Sequence, residues 1–214
     1  MIVPPSFLFQ YQLSVPRIDG LHTKQGRPLR LPETAGIFVP AAMNEGTPGI
    51  KVRLAWNPDG LAMELAVHGK KREPSGRRND LKHSDHVLVL IDTRHTATTH
   101  RATEFCTALQ ILPADEAAED LASVQIIDIA QQRSAPRAQD SRRVKVSTTL
   151  INDGYRLELW IPATQMHGFA EAPEIGHLGF YVVVEDTELG QLPLSIGDDF
   201  PVAHDPSTWL QLNL

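Results

Sequence analysis

Apolar and polar residues alternate with period two along much of this chain, and that pattern constrains the fold more than any other feature. Successive side chains of an extended strand point to opposite faces, so every second residue shares a face. Val52, Leu54 and Trp56 form one such set, and Leu61, Met63, Leu65 and Val67 form the next. Between them stands Asn57-Pro58-Asp59-Gly60, a strong turn signal. The two runs predict a hairpin with its apolar face toward a core. Residues 85–93 differ, because Val87 to Ile91 are continuously apolar. That is the pattern of a central strand covered on both faces. Alternation returns over Thr103–Leu112 through Phe105, Leu109 and Ile111, and further runs follow at 124–130 and 143–151. Asn152-Asp153-Gly154 turns the chain into 155–161, a strand begun near Leu178 continues through Val182 to Val184, and Trp209-Leu210-Gln211-Leu212 closes the sequence.

Helical signals are few. Residues 114–122 predict two or three turns with Asp115 as cap, and Pro162–Met166 predicts a single turn with proline at its first position. Many short strands and few helices imply antiparallel sheets. The expected fold is mainly β, an antiparallel two-sheet β-sandwich of jelly-roll type with one or two short helices; a closed barrel is the alternative. Alternation resumes in the same style beyond the polar stretches 69–84 and 131–142. Residues 1–214 therefore read as one β-sandwich domain, with N-terminal strands and loops in 1–49 and the main body in 50–214.

A chain of 214 residues can bury a sizeable core without metals or disulfides. Its net charge of -6 argues against nucleic acid as a partner, since phosphate neutralisation carries the affinity of polyanion binders. Cys106 is the single cysteine, so no intrachain disulfide can form. The N-terminal run lacks a basic leader, and Gln10 and Gln12 interrupt its apolar residues. It does not read as a signal peptide, which makes a cytoplasmic location the default expectation. No stretch has the eighteen or so apolar residues of a membrane span.

Several pieces resemble, in order, the family-9 carbohydrate-binding modules and the wider DOMON-like sandwiches. Arg17-Ile18-Asp19-Gly20 is similar to their early Ile-Asp-Gly. Leu54 to Leu61 is similar to their strand–turn–strand hairpin, and Ser84 to Asp92 to their Asp-x-Val-x-Leu-x-Ile-Asp strand. Leu157 to Pro162 resembles the Glu-x-x-Ile-Pro strand exit, Gly176 to Asp186 the Ile-Gly strand, and Pro206 to Leu212 the closing Trp-x-x-Leu strand. The resemblance implies a β-sandwich that binds sugars or, in related branches, haem.

Trp160 lies on the strand face opposite Tyr155, Leu157, Leu159 and Ile161, together with Arg156 and Glu158. Trp209 is likewise out of phase with Leu210 and Leu212. An aromatic ring on a polar strand face can stack on a sugar, with the indole N–H as donor. The competing reading is that a loop or the N-terminal segment covers these rings, since large aromatics are mostly buried. Trp56 shares a face with Val52 and Leu54 and reads as core. Asp92, Arg94, His95, His100 and Arg101 form the densest polar constellation, in a loop between two strands. They suit charge-assisted hydrogen bonding to a ligand or, more simply, an Asp–Arg pair at a strand end.

His83, Asp85, His86, His95 and His100 lack the strict spacing of a metal site. Asp198, Asp199 and Asp205 are the carboxylates that a calcium cage would use, and they also read as an acidic turn. The basic stretch Lys70 to Lys82 has no interleaved aromatics and reads as a solvated loop. No nucleophile elbow or phosphate-cradling loop is present. Cys106 reads as a small buried hydrophobe.

The expectation is a non-catalytic binding module for carbohydrate or another small polar ligand. Trp160 and Trp209 would stack, and Arg94, His100, Arg101 and Glu158 would hydrogen-bond. No catalytic residue and no metal ligand is assigned. No cofactor is expected, with calcium and haem as the weaker options. The alternatives are a protein–protein or structural module and a small hydrolase using 92–101.

Overall fold

The computed structural model describes residues 3–21, 29–44, 49–118, 121–135 and 139–214. Two sheets account for the described strands. The first is built from β2 (Ile50–Asn57), β3 (Gly60–His68), β8 (Gly154–Pro162) and β7 (Lys145–Ile151), hydrogen-bonded in the order β2-β3-β8-β7. The second contains β1 (Gln12–Ser14), β11 (Leu210–Asn213), β9 (His177–Asp186), β4 (His86–Asp92), β5 (Cys106–Leu112) and β6 (Ser123–Ile127) in that order, with β10 (Gly190–Pro193) beside β9. Every pairing is antiparallel except β1 with β11. The predicted β2–β3 hairpin forms, and the turn at Asn152–Gly154 joins the paired strands β7 and β8. Asn57 Oδ1 accepts the Asp59 amide in the β2–β3 turn, and Gly60 closes it with its Cα against the Ile161 carbonyl, where a side chain has no room.

The sheets pack face to face, so the architecture is a two-sheet sandwich and not a closed barrel. Inward residues follow the alternation. Val52, Leu54 and Trp56 meet Leu61, Met63 and Leu65, and these meet Leu157, Leu159 and Ile161. In the opposing sheet Val87, Val89 and Ile91 of β4 pair with Val184, Val182 and Phe180 of β9, and all belong to the same buried cluster. The outer face of β4 is also covered over Leu90, which explains the unbroken apolar run. Each fully buried Leu, Ile, Val or Met contributes roughly 1.5–3 kcal/mol.

Helical structure is short, and not where one expectation put it. Ala172–Ile175 makes one α-turn, α1, and Ala163–Gln165 one 3-10 turn after Pro162. The described part of 114–122 forms no helix. Asp115 turns inward, its amide donating to the Leu121 carbonyl at 2.7 Å and its Oδ1 accepting the Ala117 amide at 3.0 Å. Such local side-chain bonds compete with the helical ladder.

Candidate functional site

The outward faces of the two sheets differ in what covers them. On the four-stranded sheet Ala55, Ala62 and Trp160 lie side by side across β2, β3 and β8. The two alanines leave a trough for the indole, and Leu21, Leu31 and Ala35 close over it. Trp160 is therefore only 5% exposed. This corrects the expectation of a sugar-stacking ring, because no face of it reaches solvent. The neighbouring row is Arg53, Glu64, Glu158 and Ser147. Glu158 is buried, accepting the Leu29 amide at 3.2 Å and the Ser147 hydroxyl at 3.4 Å. Its carboxylate ties the covering segment down and is not presented as a ligand group.

The outer face of the seven-stranded sheet carries a more open arrangement. Register places Gln12, Gln211, Gly179, Asp92 and Cys106 in one row across β1, β11, β9, β4 and β5. Over the β1-β11-β9 end of this row lies a cleft of about 670 Å³. Its lining includes Phe7, Phe9 and Tyr11 of the N-terminal segment and Ile196, Phe200 and Pro201 of the chain at 195–201. Ser207, Thr208, Trp209, His95 and His177 also line it. Phe7 stacks on Phe200 with ring centres 4.5 Å apart, and Phe9 meets Tyr11 edge-on at 6.3 Å. Phe7 is 49% and Phe9 57% exposed, so aromatic faces are offered at the mouth. Gln211 donates to Asn213 Oδ1 through Nε2, while the side-chain amides of Gln10 and Gln12 make no hydrogen bond among the described residues. None of the nineteen lining residues is Asp, Glu, Lys or Arg, although those types make up 21% of the chain.

The six residues expected to bind ligand are not brought together. Trp209 borders the cleft but is 3% exposed, with Nε1 donating to the Val202 carbonyl at 2.8 Å. It serves as packing behind the wall. Arg94 pairs with Glu171 and lies over the Phe105 ring at 4.7 Å. Arg101 Nε donates to the Gln131 carbonyl. His100 Nδ1 is 3.1 Å from Asp205 Oδ2 and 3.0 Å from the Ser207 hydroxyl. Asp and Ser thus converge on the same ring nitrogen, whereas a nucleophilic triad needs them on opposite nitrogens. The hydrolase alternative finds no support in this geometry. Asp92 is buried and accepts the Arg94 amide; burial pushes its carboxyl pKa up, against the pull of that amide and of His177. Burial likewise drives the Cys106 thiol up to about 12, which removes it as a nucleophile near neutral pH.

The basic loop is not a free cationic surface. Arg77 pairs with Glu116, Arg78 with Asp115 and Arg72 with Glu188. Lys70 goes furthest: its Nζ is buried between the sheets, 2.6 Å from Asp186 Oδ2 and 3.2 Å from Asp85 Oδ2. Burial alone would raise the Asp85 pKa. Hydrogen bonds from Thr187 and Ser75, with the Lys70 charge, outweigh it and hold the group below the ordinary carboxylate range. Among the described residues no three His, Cys, Asp or Glu side chains gather as a metal-binding group, and no helix is long and apolar enough to cross a membrane.

The cleft escaped the sequence reading because its walls come from distant stretches. One local signal was available: Phe7, Phe9 and Tyr11 recur at every second position, with Leu8 and Gln10 between them and Gln12 after, a run of aromatics without the flanking apolar residues of a core strand.

No protein-family model matches the sequence, and no curated protein does. Solved structures do resemble it. A family-9 carbohydrate-binding module from Caldicellulosiruptor kristjanssonii, determined with glucose, superposes with a TM-score of 0.62 at 15% identity over 95% of each chain. A cellotriose complex of a family-9 module from the same organism gives 0.61 at 15% identity, over 95% of this chain and 93% of that one. This likeness shows that the fold is the sandwich of the family-9 modules, as the sequence resemblance implied.

Proposed function

We propose that this chain is a non-catalytic carbohydrate-binding module whose ligand lies in the cleft over β1, β11 and β9. The observation that carries the reading is the lining: exposed aromatic rings beside Gln10 and Gln12, whose side-chain amides make no hydrogen bond among the described residues, with no formally charged side chain. A pyranose presents an apolar C–H face and a rim of hydroxyls. Phe7, Phe9 and Tyr11 supply flat apolar surface for the first. Each glutamine amide supplies both donors and acceptors for the second. A volume of about 670 Å³ lies within the usual range of small-ligand sites. The fold shared with modules solved with glucose and cellotriose is consistent with such a ligand.

An open, partly hydrated site gains little from burial, so a dissociation constant between micromolar and millimolar is expected. Isothermal titration with glucose and cellotriose tests the reading. Phe9→Ala removes an exposed ring and leaves the core intact, and it is expected to weaken binding about tenfold, the loss of one stacking contact. Absence of heat for either sugar up to about ten times the weakest affinity expected would overturn the proposal.

A further inference from the structure

Among the residues that line the cleft, one polar side chain is buried and incompletely partnered. His95 is 7% exposed, and its Nδ1 is sealed from solvent with no hydrogen-bond partner. Gly179 is the reason. In the outward row across the sheet it is the position without a side chain, and the imidazole occupies that space. A Cβ on Gly179 would stand 2.6 Å from Nδ1 and 2.9 Å from Cγ, so the ring rests directly on the bare backbone of β9. The other ring nitrogen, Nε2, has no hydrogen-bond partner among the described residues, and His95 lines the cleft.

This seat decides where the proton sits. A proton on Nδ1 would be set against the Gly179 Cα–H with no acceptor, whereas a bare Nδ1 lone pair there receives a weak C–H contact, so the unprotonated state of this sealed nitrogen costs less. A proton on Nε2 sits at the ring nitrogen away from the Gly179 backbone, on a side chain that lines the cleft. Protonation of both nitrogens is opposed by burial and, after it, by neighbouring His177. His177 itself is fixed: its Nε2 lies 3.1 Å from the His95 carbonyl oxygen, which can only accept, so His177 Nε2 is the donor. Asp92, the buried carboxyl of this region, accepts from the Arg94 amide and lies near His177.

We infer that His95 is a ligand-binding residue, donating one hydrogen bond from its neutral Nε2–H to a hydroxyl or ring oxygen of the sugar. The inference rests on the carbohydrate reading above, and it adds a donor fixed before the ligand arrives. A rigid donor in a charge-free cleft loses little entropy on binding, unlike a flexible surface amide.

The test combines two measurements on the whole chain. Nitrogen-15 NMR of the histidine rings is expected to show His95 at pH 7 as the neutral form protonated at Nε2, with that N–H resonance shifting on addition of cellotriose. Titration calorimetry is expected to show cellotriose binding about tenfold weaker in His95→Leu and within about threefold of the parent in His95→Gln, whose terminal amide restores a donor at similar reach. Thermal unfolding of both variants separates a folding defect from a binding one, and the NMR readout on the parent chain needs no variant. An Nδ1-protonated or doubly protonated ring at pH 7 would overturn the inference. So would cellotriose binding that is unchanged in His95→Leu; that result would leave the carbohydrate reading standing. Failure of the parent chain to bind any sugar would overturn both.

Discussion

Replacing Lys70 with methionine perturbs the molecule at its most heavily buried charge cluster. The ammonium is 1% exposed and bridges Asp85 and Asp186, which are no more exposed than it is. Methionine keeps the unbranched stem and removes the charge, leaving two carboxylates facing each other between the sheets. Breaking a buried pair by deleting one partner costs about 3–5 kcal/mol. The lower end applies here, because other donors remain. Asp85 keeps the Thr187 amide and hydroxyl and the Ser75 amide, and Asp186 keeps the amides of Glu188 and Leu189. A loss of about 3 kcal/mol in a chain of this length lowers Tm by roughly 6–12 °C. Urea and thermal unfolding at pH 7 measure it.

The pH dependence is a sharper test of the same reasoning. In the parent chain the Asp85 pKa is lowered on folding. It contributes stability above the unfolded carboxylate pKa of about 3.9, and that contribution is lost as pH falls through the lower folded value. In Lys70→Met the unpaired carboxylates resist ionisation, so the deficit should shrink as pH falls from 7 toward 5. A destabilisation below about 1 kcal/mol, or a deficit that stays constant over this range, would refute the idea that Lys70 is the counter-charge of the pair.

Two further outcomes follow from burial. Trp160→Ala should cost about 3–5 kcal/mol in urea unfolding, the range for a deleted core aromatic, while leaving cleft-located sugar binding unchanged; loss of binding with unaltered stability would restore the stacking role. Asp92→Asn should stabilise the chain at pH 7, because the raised Asp92 pKa penalises folding progressively as pH rises from the unfolded carboxylate value of about 3.9, and fully above the folded value. The gain should vanish below pH about 4, where the carboxyl is protonated in both states, and a variant less stable than the parent at pH 7 would contradict it.

The strands were legible because their signal is local. Alternation in Leu61–Val67 and the Asn-Pro-Asp-Gly turn act within a few residues, and each face assignment survives in the register. The fate of Trp160 was not local. Its lid is Leu21, Leu31 and Ala35, more than a hundred residues away, and only the outward alanines 55 and 62 hinted at a trough. Arg94 and Arg101 looked like ligand groups because their partners, Glu171 and the Gln131 carbonyl, lie far off or on the backbone. The cleft was illegible for the same reason, since Gln12, His95, His177 and Gln211 meet only through β1, β11 and β9. Its aromatic segment, Phe7 to Tyr11, carries in sequence only an apolar run interrupted by Gln10 and Gln12.

The central claim is that a sugar binds over the β1-β11-β9 end of the seven-stranded sheet. Backbone amide chemical-shift mapping with cellotriose tests it most directly. Saturable shifts are expected, confined to residues around Phe9–Gln12, His95–Thr96, Ile196 and Ser207–Gln211. Shifts centred instead on Trp160 and Glu158, or no shifts at millimolar sugar, would contradict it.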